Sequence, residues 1–150
     1  MDHLVDTNVL LRGIDRRHPM CRNARDAIIA LRRRGDRLFL VPQNLVEFWV
    51  VASRPIAQNG LGMSALQTTA QTARLKRFFP VLPDTSDIHP EWERLVAEHQ
   101  VLGKTAHDAR FVAAMKIHGL KSILTYNAQH FARFPGIQAL HPQDVLSRRE

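Results

Sequence analysis

A single cysteine, Cys21, stands in the 150 residues, so no disulfide can close within the chain and no cysteine-based zinc site can form. That scarcity fits a reducing, cytoplasmic setting. Long apolar runs are missing too. The longest candidate, residues 45–52, is interrupted by Glu47 and falls well short of the roughly 20 residues a membrane helix needs. The first dozen residues carry Asp2 and Asp6 instead of a basic start and an apolar stretch, so they do not read as a secretory leader. No Gly-x-Gly-x-x-Gly follows the first apolar segment, which disfavours a dinucleotide site. Gly103-Lys104-Thr105 ends like a phosphate-binding loop, but Glu98 stands where the upstream glycine is required. Eight histidines contain no His-Glu-x-x-His pattern.

Positive charge is what the chain has in excess. Lysine and arginine total 21 against 14 acids, a net charge of +7. Most of the surplus is arginine, clustered at Arg12, Arg16, Arg17, Arg22 and Arg25 and again at Arg32, Arg33, Arg34 and Arg37. Planar guanidinium groups suit phosphate contacts, and a basic surface draws polyanions through long-range fields and counterion release. A solvated surface without a specific partner explains the same charge.

Apolar periodicity gives alternating strands and helices. His3-Leu4-Val5-Asp6 reads as a short buried strand, with a helix over 7–12. Met20, Ala24, Ala27, Ile28 and Leu31 fall at helical spacing over 20–34, closed by Gly35. A second strand is expected at 38–41, then a helix opened by Pro42 and Asn44 and running to about Ser53. Pro55, Asn59, Gly60 and Gly62 make 54–62 a loop. Ser64 and Gln67 have capping-box spacing for a helix reaching Phe78. A short strand is expected at 81–82, a helix starting at Pro90, and another from Thr105 to His118 closed by Gly119. Strands at 122–125 and 137–140 and a short helix at 143–147 complete the reading. The alternation predicts a parallel sheet covered on both faces, a three-layer α/β/α sandwich. Without repeats, low-complexity tracts or linkers, residues 1–150 read as one domain. Trp49, on an apolar helix, and Trp92 read as core anchors.

Three acids stand in unusual places. Asp6 ends the first strand, at the sheet edge where ligand crevices form in open α/β folds. Glu47 is enclosed by Leu45, Val46, Phe48 and Trp49, and Asp108 by Ala106, Ala109, Val112 and Ala113. Each has a structural explanation: Asp6 as a helix cap, Glu47 in a capping box with Asn44, and Asp108 in one with Thr105. Taken jointly, converging carboxylates repel one another and stay ionised only with a cation among them. Oxygen donors of this kind select magnesium or manganese. A basic surface beside such a centre points to phosphodiester hydrolysis.

The motifs also carry a resemblance. Leu4-Val5-Asp6-Thr7-Asn8-Val9-Leu10 resembles the opening motif of PIN domains. Asn44-Leu45-Val46-Glu47-Phe48 is similar to their second motif, the segment from His107 to Ala114 to their third, and Leu124-Thr125-Tyr126-Asn127-Ala128-Gln129-His130-Phe131 to their fourth. All four occur in order across about residues 4–140. The resemblance implies a magnesium- or manganese-dependent endoribonuclease (Mg2+ or Mn2+). Chains of this size in that family are commonly VapC-type toxins, dimeric and inhibited by a small antitoxin. Carried over, Asp6, Glu47 and Asp108 are the metal ligands, Thr7 supports them, and Thr125 and Asn127 fill the fourth motif. Asn127 departs from the acidic version of that motif, which puts a second ion in doubt. His130 also stands where an acid is frequent, and reads as a surface turn residue. His107, beside Asp108, is open to a phosphate contact.

Two other readings compete. A catalytically silent RNA- or antitoxin-binding module is favoured by the neutral Asn127 and opposed by the retained acids. A phosphatase using Asp6 as nucleophile is opposed by Asn8, where such enzymes usually carry a second aspartate.

Overall fold

The computed structural model describes residues 1–148. Its strands are short: β1 (Asp2–Val5), β2 (Arg37–Phe39), β3 (Ser122–Leu124) and β4 (Gln138–Leu140). They form one sheet in the order β2-β1-β3-β4, with every pairing parallel. Around it run α1 (Thr7–Ile14), α2 (Cys21–Arg33), α3 (Pro42–Ser53), α4 (Ala65–Phe78), α5 (Ile88–Glu98), α6 (Thr105–Ile117) and α7 (Pro142–Ser147).

The side-chain period of two explains the layers. Val5 and Leu124 point to one face, into a core with Val9, Leu10, Ala27, Leu31, Phe48 and Leu75 from α1 to α4 and Val145 from α7. Leu4 and Ile123 point to the other, among Leu95 of α5 and Phe111, Val112 and Met115 of α6. A parallel sheet covered on both faces is therefore an α/β/α sandwich, as the alternating pattern predicts.

Several boundaries follow from local chemistry. Gly35 adopts φ +86 after α2, a left-handed stop that a Cβ would disfavour. Ser64 and Gln67 close the expected capping box on α4. The helix expected at Pro90 begins two residues earlier, at Ile88, because proline is tolerated in a first turn whose N–H groups lack partners anyway. The strand expected at 81–82 is reduced to an isolated bridge between Leu40 and Val81, confined by Pro80 and Pro83.

Trp49 is not a core anchor. Asn44, Phe48 and Ala52, one helical turn apart, carry the buried face of α3. That phase turns Val46, Trp49 and Val50 outward, with exposures of 65%, 37% and 53%.

Asn44 ties α3 to the sheet edge. Its fully buried side chain accepts from the Val41 N–H at 2.9 Å and donates to the Val5 carbonyl at 2.8 Å and to the Thr7 hydroxyl at 3.3 Å. Replacing it with alanine strands a buried donor and a buried acceptor, at about 1–3 kcal/mol each. Asn44→Ala is therefore expected to unfold roughly 5–10 °C below wild type, read by circular dichroism melting. An unchanged midpoint contradicts this role.

Candidate functional site

The chain leaves β1 toward β2 on one side and places β3 and β4 on the other, so β1 and β3 flank a switch point. Crevices open at the carboxyl ends of strands there. Asp6 follows β1 and Thr125 follows β3. The Asp6 N–H donates to the Leu124 carbonyl at 2.9 Å, and the Thr125 hydroxyl donates to Asp6 Oδ2 at 2.7 Å. Both residues are buried. Asp6 occupies the cap position of α1, but its side chain caps nothing.

Glu47 sits in the second turn of α3, half-buried. Its Oε1 accepts from the Thr7 hydroxyl at 3.1 Å and its Oε2 from the Gln43 amide at 2.9 Å. The capping box of α3 is closed by Asn44 with the Val41 backbone, so Glu47 is free of that duty. Asp108 lies in the first turn of α6, where Lys104 holds the cap position without a side-chain bond. No Thr105–Asp108 box forms. Asp108 Oδ2 instead faces His130 Nδ1 at 3.3 Å. His130 is the surface turn residue expected, and the short 3-10 turn Ala128–His130 also brings it to Asp108 of α6.

Asp6, Glu47 and Asp108 line one cleft of about 650 Å³, together with Asn127, His107 and His130. Lys104 and Arg54 bring cations to its wall. The Asn127 backbone N–H donates to the Thr125 hydroxyl at 2.9 Å, so Thr125 links Asn127 to Asp6. Fold geometry therefore gathers the three acids singled out in the sequence and their partners Thr125 and Asn127. Asn8 of the opening motif shares the cleft, as do Gln43, Arg54 and Lys104, which carry no such mark in the sequence. Gln43 has one legible signal, its place four residues before Glu47 on the same helix face.

Among the described residues no lysine or arginine forms a salt bridge with Asp6, Glu47 or Asp108, and only His130 faces one of them closely. Burial, and then repulsion by Asp108 and Glu47, raises Asp6 from 3.8 to about 6 against the opposing Thr125 hydrogen bond. Asp108 is raised by burial and by Glu47, with His130 and His107 opposing. The hydrogen bonds to Asp6 and Glu47 come from hydroxyls and an amide, which orient without neutralising. Two buried side-chain atoms among the described residues have no partner, Gln43 Oε1 and Arg54 Nε, and both residues line this cleft. Oxygen donors held by neutral groups fit a divalent cation such as Mg2+ or Mn2+. No three acid, His or Cys side chains among the described residues already stand grouped around an ion position. Loading such a centre therefore requires the carboxylates to draw together.

The opposite edge of the sheet holds a second polar cluster. His3 Nδ1 meets Ser122 Oγ at 2.8 Å and its Nε2 meets Asp36 Oδ2 at 3.2 Å. These are the members of a nucleophilic triad, but Ser122 is only 1% exposed, within β3. A nucleophile shut away from substrate does no chemistry, so the cluster is structural.

Comparison with known proteins agrees with this fold. A family model described as PIN domain matches residues 3–137. The fold is similar to a DNA-bound VapBC complex from Salmonella typhimurium (TM-score 0.70, 18% identity, covering 95% of this chain and 98% of that one). It is also similar to VapBC2 from Rickettsia felis bound to a promoter DNA fragment (TM-score 0.69, 13% identity, 94% and 98%). A third likeness is to a toxin of Mycobacterium tuberculosis that cleaves the sarcin-ricin loop (TM-score 0.65, 19% identity, 89% and 95%). No curated protein matches the sequence.

The raised Asp6 sets a pH dependence. A carboxyl whose folded value exceeds its unfolded one adds stability below about pH 3.8 that is lost as pH climbs through about 6. In chelator at pH 7.5, Asp6→Asn is expected to melt roughly 5–10 °C above wild type, and the gap is expected to close near pH 4. A variant less stable than wild type at pH 7.5 means that the Asp6 carboxylate holds the fold.

Proposed function

This chain belongs to the PIN domain family, and on that footing we propose that it is a Mg2+- or Mn2+-dependent endoribonuclease, the toxin of a toxin–antitoxin pair. The observation that carries the reading is the trio of Asp6, Glu47 and Asp108 in one cleft, none of them paired with a lysine or arginine among the described residues and none used as a helix cap. In this reading the three carboxylates hold the divalent ion. When bound, the ion neutralises charge on a phosphodiester and acidifies water for attack.

The protein's own groups do the rest. Thr125 fixes the rotamer of Asp6 through Oδ2. Thr7 and Gln43 hold the two oxygens of Glu47. Lys104 and Arg54 line the cleft where a phosphate backbone would pass, and attract it without base specificity. Asn127 supplies a neutral amide that orients a water or a substrate oxygen by hydrogen bonding. The net charge of +7 supports a polyanionic substrate.

A small antitoxin and a second copy of the chain are the partners of this reading. The structural neighbours from Salmonella typhimurium and Klebsiella pneumoniae are toxin–antitoxin assemblies, which supports the first. The outward face of α3, with Val46, Trp49 and Val50, is apolar surface suited to a protein contact. Among the described residues no helix is long and apolar enough to cross a membrane. A silent RNA- or antitoxin-binding module is the second reading, favoured by the neutral Asn127.

The test is cleavage of a mixed single-stranded RNA panel in Mg2+, Mn2+ or chelator. Wild type is expected to cut only with a divalent ion. Asp108→Asn, folded by circular dichroism, is expected to lose at least about 100-fold in rate, beyond what even a ligand's supporting partners contribute. Cutting that persists in chelator, or undiminished in Asp108→Asn, refutes the carboxylate centre. No cutting by folded wild type moves the weight to the silent module.

A further inference from the structure

Gln43 occupies the second position of α3, directly after Pro42. Its amide nitrogen donates to Glu47 Oε2 at 2.9 Å and to the His107 carbonyl at 2.8 Å, so both N–H groups are engaged. Its Oε1 is buried without a partner. A stranded buried acceptor costs about 1–3 kcal/mol. Flipping the amide does not relieve it, because the oxygen then faces a carboxylate and a carbonyl, both acceptors. The observed orientation therefore gives up one hydrogen bond to secure two others.

Those two bonds cross the sheet edge. Phe48 of α3 packs in the core on one face of the sheet, whereas α6 packs in the core on the other. Among the described residues, Gln43 to His107 is the only side-chain hydrogen bond joining α3 to α6. His107 immediately precedes Asp108. One amide thus links the Glu47 carboxylate to the backbone one residue from the Asp108 carboxylate. Glutamine suits this position. Lysine here would neutralise Glu47 and compete with a cation, and glutamate would add a further repelling charge. Glutamine alone among these supplies two donors, enough reach and no charge.

We propose that Gln43 is a positioning residue that acts through Glu47, setting the spacing of the Glu47 and Asp108 carboxylates for a divalent cation. The inference rests on the metal-dependent reading of the cleft given above. In this role Gln43 acts on the ion through Glu47, whose Oε2 it holds, and is not itself a ligand. Its loss weakens ion binding, and a higher ion concentration restores the turnover rate.

The experiment measures free Mn2+ by electron paramagnetic resonance in titrations of wild type, Gln43→Met and Gln43→Asn, with melting curves and RNA cleavage alongside. Methionine keeps the length and removes both donors; asparagine keeps the amide and shortens the reach by one methylene. Both variants are expected to bind Mn2+ about 10–100-fold more weakly than wild type, with melting midpoints within a few degrees of it. Cleavage at saturating Mn2+ is expected to recover to near the wild-type rate. Unchanged Mn2+ affinity in the folded variants, whatever their melting points, overturns the role of Gln43 and leaves the metal reading standing. Should Gln43→Met not fold, the asparagine variant decides on the same criterion. Absence of Mn2+ binding by wild type defeats the metal reading itself, and this proposal with it.

Discussion

The carboxylate of Asp6 is buried at the end of β1, accepts a 2.7 Å hydrogen bond from Thr125, and makes no salt bridge among the described residues. Glu47 and Asp108 press on it electrostatically from α3 and α6, and its ionisation is held off until about pH 6. A buried charge without a counter-charge is ordinarily selected against, since the low-dielectric surroundings penalise it by several kcal/mol. Here the polar frame around the site conserves that penalty. The hydroxyls of Thr7 and Thr125 and the amide of Gln43 direct the carboxylates without quenching them.

That frame depends on the sheet. Parallel pairing of β1 with β3 in the register Val5 to Leu124 sets Asp6 beside Thr125. Asn44 then draws the start of α3 onto the carbonyl of Val5, which brings Glu47 over the same edge. Asp108 arrives from the opposite layer on α6, whose buried residues Phe111, Val112 and Met115 fix its position against Ile123. Three separate segments therefore meet at one strand edge, and the core on both faces keeps them there.

Much of this is readable from residue order. The alternation of apolar strands with amphipathic helices specifies the layers, because each side-chain period commits a segment to one kind of packing. The four motifs likewise mark Asp6, Glu47, Asp108, Thr125 and Asn127. The remainder is decided by tertiary contacts. Gln43 meets a carbonyl 64 residues away, and no local pattern encodes that meeting. The outward turn of Trp49 depends on helical phase set by Asn44 and Phe48, and apolar neighbours on both sides conceal it. His130 has the sequence surroundings of a turn residue, and only the fold sets it 3.3 Å from Asp108. The bridge at Val81 falls short of a strand because flanking prolines limit the ladder.

The central claim is that Asp6, Glu47 and Asp108 together form a seat for one divalent cation. The most direct measurement is an anomalous difference map from a crystal of the wild-type protein soaked in Mn2+ at pH 7.5, above the value of about 6 to which Asp6 is raised. The account predicts a peak among the three carboxylates, with oxygens drawn in to about 2.1 Å, the distance typical of small hard divalent ions. A map with no peak in that cleft, at a Mn2+ concentration that populates other carboxylates on the surface, contradicts it.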